Sequence, residues 1–147
     1  MQAIEPSRQT MENGGIAPCV MEVRWGDMDA LGHVNNTVYF RFFEEARMRL
    51  LQGMESIPKS EKTFVLAHTS CDFLRPMHYP AHAVVFQNLV RIGRSSVEIE
   101  AAIEKQGEPG VPCAKGRYIV VGVDIVNQRP SPWSEVELAQ LQSYMPA

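Results

Sequence analysis

The 147-residue chain is short of the features that mark most specialised protein classes. Its three cysteines, Cys19, Cys71 and Cys113, are odd in number, far apart and without a CxxC pair. That argues against a disulfide framework and a structural zinc site and suits a reducing compartment. No apolar run approaches the ~18–20 residues of a membrane span. The first residues show no charged-then-apolar leader, because Glu5, Pro6, Arg8, Gln9, Glu12 and Asn13 interrupt them. A cytoplasmic location is the expectation. A basic surplus is also missing: the net charge is −3, which argues against non-specific nucleic-acid binding. Internal repeats, low-complexity blocks and long linkers are absent too, so one domain is expected, over residues 18–147. The polar, glycine-bearing segment 1–17 reads as a mobile tail.

What the chain does have is concentrated between Trp25 and Arg49, WGDMDALGHVNNTVYFRFFEEARMR. Two carboxylates, Asp27 and Asp29, precede Gly32, His33 and the pair Asn35–Asn36, after which a long amphipathic segment begins. Asn35 or Asn36 is a competent N-cap, and Tyr39, Phe42, Phe43, Ala46 and Leu50 recur at helical spacing toward a stop at Gly53. Arg41–Glu45 and Glu45–Arg49 are i,i+4 pairs on the opposite face. The order of residues sets a carboxylate in the loop before a helix N-terminus. There unpaired N–H groups and the positive end of the helix dipole favour negative charge. Attack on a carbonyl needs both a base or nucleophile and donors for the oxyanion.

Around this segment the chain reads as strands. Residues 19–25 alternate, and 62–74, 83–92, 96–104 and 115–125 are rich in β-formers or alternate in polarity. In 96–104, Val97, Ile99, Ala101 and Ile103 form the apolar face; in 115–125, Ile119, Val121, Val123 and Ile125 share a face. Ser134-Glu135-Val136-Glu137 has the form of a capping box opening a short terminal helix through Leu138 and Leu141. Strand, long helix, four strands and short helix make an α+β plan in which an antiparallel sheet wraps a buried helix.

The run Asp27-Met28-Asp29-Ala30-Leu31-Gly32-His33-Val34-Asn35-Asn36, followed by Tyr39 and Glu44-Glu45-Ala46-Arg47, resembles the 4-hydroxybenzoyl-CoA-type acyl-CoA thioesterases of the hotdog fold. It is similar to their D-x-D-x-x-G-H-V-N-N branch, over about residues 19–142. The resemblance implies hydrolysis of an acyl-CoA thioester without metal or other cofactor. Asp29 would be the catalytic carboxylate, with a backbone N–H at or beside Asn36 polarising the carbonyl. Glu44 would be a pocket residue, beside the substrate-side positions Gly32 and Asn35. The resemblance further implies active sites at subunit interfaces of a homodimer or homotetramer, with acyl-CoA, or an acyl carrier protein, as partner. One departure is visible: many relatives carry Gly-Asp or Gly-Glu before the third strand, where this chain has Tyr79-Pro80-Ala81-His82.

Several assignments stay open on the sequence. Asp29 acts either as general base or as nucleophile forming an anhydride. Asp27 is a turn acceptor or, as the lesser alternative, half of a carboxylate dyad. His33 is either a general acid for the leaving thiolate or a ring hydrogen-bonded to the motif loop; with His68, His78 and His82 it shows no metal-ligand spacing. Arg91, Arg94, Lys105, Lys115 and Arg117 either meet coenzyme A phosphates or protect strand edges. A non-catalytic acyl-CoA or acyl-carrier binding protein and an enoyl-thioester hydratase are the rival functions on this fold.

Overall fold

The computed structural model describes residues 14–54 and 61–146. In chain order the elements are β1 (Cys19–Glu22), a 3-10 turn (Trp25–Asp27), α1 (Asn36–Gln52), β2 (Lys62–Phe73), β3 (His82–Ile92), β4 (Ser96–Lys105), β5 (Pro112–Asp124), β6 (Arg129–Pro130) and α2 (Glu135–Ser143). All strands belong to one antiparallel sheet in the order β1-β3-β4-β5-β2, with β6 added beside β5. The expected α+β wrap of a sheet around a long helix is the observed one. Two differences are small: the first strand ends at Glu22 because the chain tightens into the 3-10 turn, and the two-residue β6 adds to the four strands read after the helix.

α1 buries Tyr39, Phe42, Phe43, Ala46 and Leu50, the stripe read from the sequence. It meets the concave face of the sheet, where β4 contributes Val97, Ile99, Ala101 and Ile103 and β5 contributes Ala114, Tyr118 and Val120. Ile119, Val121 and Val123 do share a face, but it is the half-buried outer one; the core face is Tyr118 and Val120. Gly116 lies in register with them, and a Cβ there would sit 2.8 Å from the Phe43 ring. The missing side chain thus lets β5 approach the helix, with Phe43 tilted against Tyr118 at 6.1 Å between ring centroids.

Asn35 caps α1, its Oδ1 accepting from Thr37 N at 3.0 Å, and Gly53 is the C-cap. Ser134 and Glu137 form the expected capping box of α2. Glu137 also closes over the buried Lys62, 3.0 Å away, beneath the Trp133 ring. Of the pairs expected on the outer face of α1, Glu45–Arg49 forms at 2.9 Å. Arg41 instead turns back to the buried carboxylate of Asp27, while Glu45 is taken by Arg49. Residues 1–13 of the segment read as a tail lie outside the described residues. Within its last four, Gly14 bridges Pro146 and Ile16 is buried.

β2 is an edge strand with β5 as its neighbour. It is 12 residues long and mostly exposed, and Val65, Leu66 and Phe73 are among its open side chains. A long edge bearing apolar groups is the kind of surface proteins usually cover.

Candidate active site

The motif loop is a small closed structure. Met28 bridges Val34 across it, and Asp29 N donates to His33 O at 2.8 Å. Inside, Gly32 N reaches Asp29 O at 3.1 Å, closing a turn over residues 29–32. Asp29 opens that turn as aspartate commonly does, its Oδ1 accepting from Leu31 N at 2.9 Å and from His33 N at 3.3 Å. Gly32 closes it at φ +78°, a left-handed backbone that side-chain-bearing residues resist. No heavy atom lies within 4 Å of where its Cβ would stand, so the glycine serves the backbone angle rather than a close approach.

The two carboxylates of the motif part company. Asp27 is buried; its Oδ2 accepts from Arg24 N at 2.8 Å and its Oδ1 from Arg41 at 2.5 Å, while its carbonyl receives Asn35 N at 2.9 Å. It ties the 3-10 turn to α1, as the turn-acceptor reading requires, with no free oxygen to offer a reacting group. Asp29 is half-buried, and among the described residues no donor reaches its Oδ2. It borders two hollows. One, of about 290 Å³, is also lined by His33, Asn36, Tyr39, Phe73 and Arg75. The other, of about 410 Å³, is lined by Trp25, Gly26, Met28, Gly32 and Tyr79.

The first turn of α1 leaves one amide open. Asn35 N is taken by Asp27 O, Thr37 N by Asn35 Oδ1 and Val38 N by Asn35 O. Among the described residues Asn36 N–H finds no acceptor, and Asn36 lines the smaller hollow with Asp29. An unpaired amide at a helix N-terminus is a ready donor to an anion. Tyr39, also in that hollow, has its phenol pushed up to about 12, chiefly by burial, and stays protonated near neutrality.

The structure therefore brings together Asp29, His33, Asn36 and, through the adjoining hollow, Gly32. Asn35 serves as the cap, its side-chain oxygen held by Thr37. Glu44 does not join them. It stands on the exposed face of α1, 3.8 Å from Arg47, in a separate groove with Arg41, Leu66 and Thr69. Two turns of helix separate it from Asn36 within the one chain. The Tyr79–His82 segment borders the second hollow through Tyr79.

His78 is the residue that sequence reasoning passed over. Its Nδ1 lies 3.0 Å from Gly32 O, and its ring meets that of His33 edge-on at 4.9 Å. The hydrogen bond to the motif loop weighed for His33 thus belongs to His78. Nothing local in the sequence signals a contact between positions 32 and 78.

A groove of about 510 Å³ lies elsewhere, on the outer face of the sheet. There Lys115 faces Asp72 and Arg117 faces Glu100 across strands, with Arg117 hydrogen-bonded to Glu98. Arg117 is thus paired with Glu98, and β5 lies between β4 and β2 inside the sheet, so neither Lys115 nor Arg117 guards a sheet edge. Burial raises the thiols of Cys19, Cys113 and Cys71, the last to about 11, so they are poor nucleophiles at neutral pH. Among the described residues no three or more His, Cys, Asp or Glu side chains gather as metal ligands, and no helix is long and apolar enough to cross a membrane.

Residues 23–141 match the family model described as the thioesterase-like superfamily. The chain is 31% identical to a thioesterase from Thermus thermophilus solved with coenzyme A and zinc, covering 91% of this chain and 97% of that one, with a TM-score of 0.73. It is 34% identical to a candidate acyl-CoA thioesterase from Xanthomonas campestris, over 80% of this chain and 98% of that one, at a TM-score of 0.69. It is also 26% identical over 118 residues to the uncharacterized protein YsmA of Bacillus subtilis, covering 80% of this chain and 79% of the relative. With the family model spanning most of its length and the curled sheet closed around α1, this chain belongs to the thioesterase-like superfamily and has the hotdog fold.

Proposed function

We propose that the protein hydrolyses an acyl-CoA thioester to a free acid and coenzyme A, with Asp29 as the catalytic carboxylate. The observation that carries this reading is the smaller hollow itself: Asp29 with an undonated Oδ2, and the unengaged Asn36 amide, line one space. A thioester carbonyl seated there has its oxygen at the helix N-terminus and its carbon toward the carboxylate. The Asn36 N–H and the α1 dipole stabilise the oxyanion as it forms.

Two routes use the same residues. In one, Asp29 takes a proton from water as water adds to the carbonyl; the tetrahedral oxyanion then expels the thiolate, which is protonated. In the other, Asp29 Oδ2 attacks directly, the thiolate leaves, and water opens the resulting mixed anhydride. His33 lines the same hollow and would protonate the departing thiolate. The complete site is read as an assembly of two copies, joined along β2, whose partner face covers Phe73 and Leu74 beside the hollow.

Thiol release on mixing with a panel of acyl-CoAs tests the reading. Release that is lost in Asp29→Asn supports it, whereas binding without release marks an acyl-CoA carrier. Release of a hydrated acyl thioester, with coenzyme A still attached, marks a hydratase. In a rapid quench, an acyl adduct on the Asp29 peptide distinguishes the covalent route from water activation.

A further inference from the structure

His78 holds Gly32 O from 46 positions away, and Gly32 O is one end of a peptide whose other end is His33 N–H. That N–H is the donor 3.3 Å from Asp29 Oδ1. We propose that His78 is a positioning residue for Asp29, acting through the Gly32–His33 peptide; this rests on the reading of Asp29 as the catalytic carboxylate.

The peptide is planar and trans, so its C=O and N–H point in opposite directions and turn together. A carbonyl oxygen only accepts, so His78 Nδ1 carries the hydrogen and donates it. Fixing the oxygen fixes the direction of the amide at the far end, and donation to the oxygen polarises that amide toward Asp29. The anchor matters here because Gly32 sits at φ +78° with open space around it. A glycine so placed resists rotation of its peptide less than any other residue. The tie through His33 is also the longer of the two that Asp29 Oδ1 receives, Leu31 N being at 2.9 Å, and so the one more easily lost.

The anchor is itself built in. Met77, next to His78, is 1% exposed, and its carbonyl accepts Val34 N at 2.8 Å. His78 therefore stands at a fixed height over the loop, its ring against the edge of His33.

The test compares His78→Leu, which removes the donor, with His78→Asn, whose amide nitrogen falls near the place of Nδ1. In His78→Leu, kcat for thiol release is expected to fall about 10-fold, the factor matching one lost neutral hydrogen bond, with KM little changed. His78→Asn restores it. In an Asp29→Asn background the leucine substitution adds no further loss, because the group it positions is gone. Independently of turnover, amide hydrogen exchange at His33 accelerates about 10-fold in His78→Leu but not in His78→Asn, by the same hydrogen-bond magnitude. Leu31 and the α1 amides stay unchanged. An equal loss in both backgrounds, or a His33 amide indifferent to His78→Leu, overturns the proposal. A wild-type protein inert toward thioesters whose His33 amide still responds would refute the functional reading and leave the positioning in place.

Discussion

Asp27→Asn and Asp29→Asn make the same chemical change two positions apart, and the structure assigns them opposite consequences. Asp27 is 4% exposed and spends each oxygen on a different donor, Arg24 N at 2.8 Å and Arg41 at 2.5 Å. An amide has one acceptor, so whichever bond survives, the NH₂ group faces the other donor. The lost charge-assisted bond is worth about 1.5–3 kcal/mol. Arg41 is 45% exposed and regains some solvation, which places the net cost near 2 kcal/mol. For a chain of this length that lowers Tm by roughly 6 °C. The turnover of the folded enzyme should change only a few-fold, because Asn35 N binds the Asp27 backbone carbonyl, which the substitution spares. Asp29→Asn runs the other way. Its Oδ1 keeps both amides of the turn, and the Oδ2 that becomes NH₂ has no donor to oppose it among the described residues. Stability should move by less than ~1 kcal/mol, the size of a surface change. If that oxygen takes the proton or attacks, kcat falls by roughly 10²–10⁴-fold, or about 3–5.5 kcal/mol in the barrier. Thermal unfolding by circular dichroism and thiol release, measured on the same two preparations, separate the predictions. Equal losses of activity would show a coupled dyad, and an active Asp29→Asn enzyme would refute the mechanism.

Gly116→Ala pushes a methyl group to 2.8 Å from the Phe43 ring and 3.0 Å from Ser70 O, so we expect a loss of about 1–3 kcal/mol from overpacking, read by urea denaturation. Gly32→Ala has room for its Cβ but keeps φ +78°, and it should cost about 1–2 kcal/mol with a drop in kcat; an unaffected enzyme would show that the turn is not strained. Light scattering at micromolar concentration should give a dimer or larger, given the long open edge of β2. A monomeric mass with full hydrolysis would sink the shared-site reading. Burial raises the Cys71 thiol to about 11, so its thiolate is scarce at pH 7 and grows tenfold per pH unit until that value. Alkylation of Cys71 should therefore accelerate steadily from pH 7 to 10 and leave turnover intact; fast labelling at pH 7 would contradict the assignment.

Much of the fold is legible in the sequence because helices and half-buried strands carry their own periodicity. The α1 stripe from Tyr39 to Leu50, the Asn35 cap and the apolar face of β4 all depend on neighbours within a few positions. The Asp29 turn is local in the same way: its hydrogen bonds span two to four residues, and Gly32 is the residue that closes it. The faces of β5 were not legible. Both Ile119–Val121–Val123 and Tyr118–Val120 are apolar, and alternation has a phase only when one face is polar. The seating of Phe43 over Gly116 decides which side is core.

What the sequence determines by itself is an acid held in a tight turn at the head of an amphipathic helix, because short-range backbone geometry and hydrophobic periodicity suffice for that. Tertiary structure decides which partners the motif receives from afar. Arg41 leaves its helical neighbour Glu45 for Asp27, 14 positions back, and His78 crosses 46 positions to the carbonyl of Gly32. It also decides that Glu44, close to Asn36 in the chain, stands in a different groove. Such long-range choices follow from how the sheet curls around α1, and no local run of residues encodes that closure. The energy that selects it is the summed burial of side chains from every strand.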